Sequence, residues 1–126
     1  TKNKEPHTLP FNSLIKELLQ RRSRGAVSKW VFPSPQNDGA YLKDPRGSTD
    51  YICEKMGKRI TLHDLRRTFI TIAESLDIPA YALKRLINHR DPNDVTAGYI
   101  ISSVDRLREP MEKIGSYMSS NIEGVR

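Results

Sequence analysis

Cysteine is nearly missing from this chain: Cys53 is alone among 126 residues. A single thiol excludes an internal disulfide and any metal site built on several cysteines. Long hydrophobic runs are missing too. Apolar stretches last only a few residues, far short of the roughly 20 that span a bilayer, and no signal-peptide pattern opens the chain. There is no internal repeat, no low-complexity segment and no acidic cluster with the spacing of a metal site. These absences lead us to expect a reducing, cytoplasmic setting, with no membrane, no metal and no cofactor.

Positive charge, by contrast, is plentiful. Lys and Arg number 21 against 15 Asp and Glu, a formal +6. Such an excess favours an anionic partner, of which nucleic acid is the commonest, although many basic domains carry it for solubility alone. The length suits one domain, or a piece of one, with a modest core. The opening "TKNKEPHTLPF" has Lys2, a polar turn at Asn3–Glu5 and an extended stretch closed by Pro10, which predicts a β-hairpin entered partway. A protein seldom begins there, so the N-terminal part of a larger one is expected to be missing.

The rest of the pattern is helical. Leu14, Ile15, Leu18 and Leu19 predict a helix over residues 12–23, capped by Asn12 or Ser13. A Pro- and Gly-rich connection follows, with a short strand at Trp30–Phe32, then a helix from Ser48 or Thr49 to Met56 that Gly57 ends. Thr61 caps the next helix, in which Leu62, Leu65, Phe69, Ile72, Ala73 and Leu76 share one core-facing arc of roughly 100 degrees. "LDIP" stops it. Pro79 suits the first turn of "AYALKRLIN", which buries Leu83, Leu86 and Ile87. Asp91 and Pro92 start a short helix carrying Tyr99. A final helix from Val104 to Met118 carries Leu107, Met111, Ile114 and Met118 along one side, either packing at home or docking on another protomer.

Six residues outside the core pattern have reactive side chains, and each alone has an ordinary explanation. His63, flanking a core face one turn from Arg66, is more often a hydrogen-bonded structural histidine. Arg66 and Arg67 can be solvated, His89 can be a helix C-cap, Tyr99 a core aromatic with a wet hydroxyl, and Lys2 a chain end. Together they suit phosphoryl transfer on a phosphodiester. The charge that grows on the phosphate oxygens needs fixed donors, which an arginine fork supplies. Histidine can donate there or accept the nucleophile's proton. A tyrosine hydroxyl can attack phosphorus and hold the strand covalently, and a lysine on a hairpin can protonate the leaving 5′-oxygen. A reaction without metal is the economical expectation.

"HDLRRTF" followed by "LKRLINHRDPNDVTAGY" strongly resembles the C-terminal half of the tyrosine recombinase (phage integrase) catalytic domain, nearest to integrases of prophages and genomic islands. The resemblance covers nearly the whole chain. It implies a mainly α fold with a small β-hairpin at the N-terminus, with residues 1–126 forming a single domain that is the C-terminal portion of that catalytic domain. The family's H-x-x-R matches His63 and Arg66; Arg67 also lies within a turn of His63, and only the motif chooses between the arginines. The later family histidine matches His89 in "LINH", where Asn88 stands in place of the glycine many members carry. The nucleophile matches Tyr99, ten residues further on, and the hairpin lysine matches Lys2. The family's first catalytic arginine lies well upstream of that lysine and is not among these residues, nor are the upstream DNA-binding segments.

The resemblance implies site-specific recombination of double-stranded DNA at attachment sites through a 3′-phosphotyrosyl intermediate, in a bacterial or phage-encoded enzyme. It further implies a homo-tetramer on DNA, an accessory DNA-bending protein as a possible partner, and little catalysis by these residues without the upstream arginine. Competing readings are a non-catalytic DNA-binding module of the same fold, type IB topoisomerase-like relaxation, and a helical RNA- or protein-binding domain. Covalent trapping separates the first, and plasmid relaxation the second.

Overall fold

A computed structural model of the chain describes residues 7–89 and 104–123. It is mainly helical: α1 (Ser13–Ser23), α2 (Arg46–Met56), α3 (Leu62–Ser75), α4 (Ala80–Leu86), a 3-10 turn (Val104–Leu107) and α5 (Arg108–Glu123). The expected N-terminal hairpin is not supported. Residues 7–12 form no strand, and residues 1–6, like the predicted short helix after Asp91, lie outside the described residues. The expected strand at Trp30–Phe32 is also absent; an isolated antiparallel bridge, Pro33 with Tyr41, takes its place. Pro33 has no N–H to continue a ladder, so pairing is confined to the flanking bonds Leu42 N–H to Phe32 O at 2.8 Å and Ser34 N–H to Ala40 O at 2.9 Å.

The chain divides into two compact units, one of residues 1–15 and 69–126, the other of residues 16–68. The first holds the core. Ala73, Ile78, Ala82, Leu83, Leu86, Leu107, Met111 and Ile114 are buried together, with Phe69, Ile70, Ile72, Leu76, Tyr81, Ile87 and Met118 packed against them. Tyr81 also carries the Arg106 guanidinium 5.3 Å from its ring centre. Asn12 settles which residue caps α1, since its Oδ1 accepts the Ile15 N–H at 2.8 Å. The same side chain is buried and donates from Nδ2 to Met111 O at 3.2 Å on α5. Gly115 permits that approach, because a Cβ there would fall 2.4 Å from Asn12 Nδ2. From α5, Lys113 Nζ donates to Leu76 O, an orphan carbonyl at the end of α3, at 2.6 Å.

No residue from Lys16 to Thr68 is fully buried. This second unit is held by polar and aromatic ties. α2 begins two residues before Ser48: Asp44 Oδ1 accepts the Arg46 N–H at 3.0 Å and sets the turn, whereas the Thr49 hydroxyl donates back to Pro45 O at 3.1 Å. Gly57, at φ +62, closes α2. Cys53 ties α2 to the approach of α3, accepting the Ile60 N–H at Sγ over 3.2 Å and donating to Ile60 O over 3.4 Å.

The apolar arc of α3 does not form one core face. Ala73 is buried and Phe69, Ile72 and Leu76 pack against the core, but Leu62 and Leu65 are each 53% exposed. Helical period fixes which side of a helix is apolar; it says nothing about how far a neighbour extends along that side.

Candidate functional site

The residues singled out from the sequence occupy three kinds of place. Lys2 and Tyr99 lie outside the described residues. His63 and Arg66 stand on the first two turns of α3, within the unit of residues 16–68. His89 follows α4, in the other unit.

The start of α3 is closed by a reciprocal cap. Thr61 Oγ1 accepts the Asp64 N–H at 3.2 Å, while Asp64 Oδ2 accepts the Thr61 N–H at 3.0 Å and the Thr61 hydroxyl at 2.7 Å. Two N–H groups that a helix start leaves unpaired are thereby satisfied. The Asp64 carboxyl is held below its ordinary range chiefly by the Thr61 hydroxyl, then by the Thr61 N–H. Burial opposes this, and the nearby Arg67 and His63 side chains add to it. His63 is the second residue of this fixed turn, and Arg66 follows three residues later, on the same side. Both side chains are exposed, and among the described residues no carboxylate lies within ion-pair distance of Arg66. Its fork of N–H donors is open to an oxyanion.

"LINH" has a defined backbone form. The Asn88 N–H donates to Arg85 O at 3.1 Å and the His89 N–H to Lys84 O at 2.8 Å, with Asn88 at φ +52. This is the paired closure in which one residue turns left-handed and the next reaches back across the last turn. Glycine or asparagine suits the left-handed position, which accounts for Asn88 at this turn. His89 is thus a C-terminal cap through its main chain, and its imidazole is exposed.

One participant had no sequence signal. His7 Nε2 lies 2.8 Å from Arg85 O, the carbonyl that also receives the Asn88 N–H. A carbonyl only accepts, so Nε2 carries the proton. His7 is thereby tied to the turn that presents His89, across 78 residues of sequence. Asp64, which the sequence reading did not single out, does have a local signal, as the last residue of T-x-x-D.

Among the described residues no three His, Cys, Asp or Glu side chains are grouped to hold a metal ion, and no helix is long and apolar enough to cross a membrane.

Comparison with known proteins agrees with the motif reading. The model of the phage integrase family matches residues 1–106. The chain is also 26% identical over 111 residues to Prophage integrase IntF of Escherichia coli (strain K12). That alignment covers 86% of this chain but 24% of the relative, so the chain spans about a quarter of that protein's length. No solved structure matches significantly. Because the family match runs from the segment of Lys2 past Tyr99 and takes in both the capped turn of His63 and Arg66 and the "LINH" closure, the chain belongs to the phage integrase family.

Proposed function

We propose that this chain is the C-terminal portion of the catalytic domain of a site-specific recombinase that cuts and rejoins double-stranded DNA at attachment sites. Tyr99 is the nucleophile. Its hydroxyl oxygen bonds to the scissile phosphorus, the bond from phosphorus to the 5′-oxygen breaks, and a 3′-phosphotyrosyl link and a free 5′-hydroxyl result. The tyrosine proton is lost with help from His63, which otherwise braces the phosphate, and Lys2 supplies a proton to the leaving oxygen. Arg66 and an upstream arginine hold the non-bridging oxygens, and His89 donates to the same phosphate. Rejoining reverses these steps on a new 5′-hydroxyl. The bond energy is kept in the phosphotyrosine, so no nucleotide cofactor is called for. Four protomers on two duplexes, aided by a DNA-bending protein, would carry out the exchange.

The observation that carries this reading is the family match over residues 1–106, the span within which Lys2, His63, Arg66, His89 and Tyr99 all lie. The capped turn under His63 and Arg66, and the open guanidinium of Arg66, support it. The test is Tyr99→Phe in the full-length protein, offered a nicked substrate that traps the covalent intermediate. DNA binding close to wild type with loss of trapping is expected; retained trapping refutes Tyr99 as nucleophile. The 126 residues alone are expected to bind DNA weakly, with strong salt dependence, and to cleave little. Robust recombination by them would overturn that part.

A further inference from the structure

The charge of this chain is unevenly placed. Of the 21 Lys and Arg, 12 fall between Lys16 and Thr68, as do 6 of the 15 Asp and Glu; the remaining 9 cations and 9 acids cancel. The whole formal +6 therefore belongs to residues 16–68. It is most one-sided from Leu18 to Asn37, a stretch that contains Arg21, Arg22, Arg24 and Lys29 and no acidic residue.

The same stretch carries exposed rings. The Arg22 guanidinium lies 4.7 Å from the centre of Phe32, and its Nε–H donates to Val31 O. Lys29 Nζ lies 5.1 Å from the Trp30 ring centre. Trp30 is itself anchored, donating from Nε1 to Gly39 O at 2.7 Å and meeting the Tyr41 ring at 5.3 Å between centres. Among the described residues Arg22, Arg24 and Lys29 have no acidic partner, whereas Arg21 pairs with Glu17 at 3.9 Å. Phe32 remains 55% exposed.

A cation already held over a ring loses less side-chain freedom when it meets an anion. Arg22 keeps its terminal amino groups for a phosphate after spending Nε–H on Val31. Three cations, Arg22, Arg24 and Lys29, stand here without an acid, so the edge suits a polyanion better than a protein surface of mixed charge. Duplex DNA presents phosphates at regular spacing, together with sugar faces that suit exposed rings.

We infer that the Arg22–Phe32 edge is a second DNA contact, gripping the sugar–phosphate backbone outside the reaction centre. It rests on DNA being the partner proposed above and uses none of the residues assigned to the scissile phosphate.

The test is duplex binding by the 126-residue chain across a salt series, for wild type and for Arg22→Gln/Arg24→Gln/Lys29→Gln. At about 0.9 per phosphate contact, the slope of log affinity against log salt should become shallower by about 2 to 3. Arg24→Gln/Lys29→Gln breaks no hydrogen bond of the described structure and should still remove about 2 from the slope. A charge-matched control, Arg106→Gln/Arg108→Gln/Lys113→Gln, should leave the slope alone. Equal slopes in wild type and the first triple variant, or equal losses in both triple variants, overturn the assignment of this edge. A wild-type chain with no salt-dependent binding would sink the DNA reading beneath it as well.

Discussion

Asn88 shows how much one torsion decides. Its φ of +52 turns the chain so that the His89 N–H reaches Lys84 O. Glycine adopts that conformation without a Cβ penalty, whereas a β-branched side chain pays about 1–2 kcal/mol. We expect Asn88→Gly to be neutral or stabilising by less than about 1 kcal/mol and Asn88→Val to be destabilising by about 1–2 kcal/mol, as read by urea unfolding. If His89 acts on the phosphate, Asn88→Val should also slow cleavage by the full-length enzyme. Arg66→Lys tests the chemistry more directly. An ammonium cannot reproduce a two-pronged contact, and cleavage should fall on the order of 10²-fold or more, with DNA affinity little changed. Wild-type cleavage by that variant would remove Arg66 from the phosphate clamp. At this scale the sequence was readable where the reason was local: Gly57 and Thr61 do what their neighbours require. His7 was not, because its acceptor is 78 residues away.

Among the elements, α3 is the informative case. Its N-terminal turn depends on an ionised Asp64 accepting from Thr61. A carboxyl whose folded pKa is lowered contributes fully above its unfolded pKa, and that contribution fades as pH falls through the folded one. The turn carrying His63 should therefore loosen below pH ~4, detectable as faster amide exchange at Asp64 and Leu65 relative to the middle of the helix. In Asp64→Ala the exchange should already be fast at neutral pH and lack that acid step; an acid step kept in the variant would mean that another group is responsible. The hydrophobic pattern predicted the existence of α3 and its stop at "LDIP", where Asp77 takes φ +54 and the Ile78 N–H returns to Ala73 O at 3.0 Å. It did not predict that Leu62 and Leu65 stay exposed, since periodicity has no information about partners. α2 began earlier than its Ser and Thr suggested because Asp44, just outside the helix, had already turned the chain.

For the whole molecule, every buried residue among those described lies in the unit of residues 1–15 and 69–126. Amides of residues 78–86 and 107–115 should be the slowest to exchange, and those of residues 16–60 much faster. Comparable protection in both would contradict the placement of the core. Gly115 tests the packing of that core. Alanine is a better helix former by about 1 kcal/mol, yet its Cβ would collide with Asn12. Gly115→Ala should therefore lower stability by about 1–3 kcal/mol in denaturant unfolding, and adding Asn12→Ala should cost less than the two single changes combined. The core was largely legible, because Leu83, Leu86, Leu107, Met111 and Ile114 follow helical spacing; the requirement for a bare Cα at Gly115 was not, because it arises only when α5 meets Asn12.

The half of the chain that holds the net charge has no interior, and the half that has an interior is electrically balanced. On the DNA contact proposed above, thermal endurance and grip on a polyanion are therefore written in different residues. Either trait is open to retuning, by natural drift or by engineering, without disturbing the other.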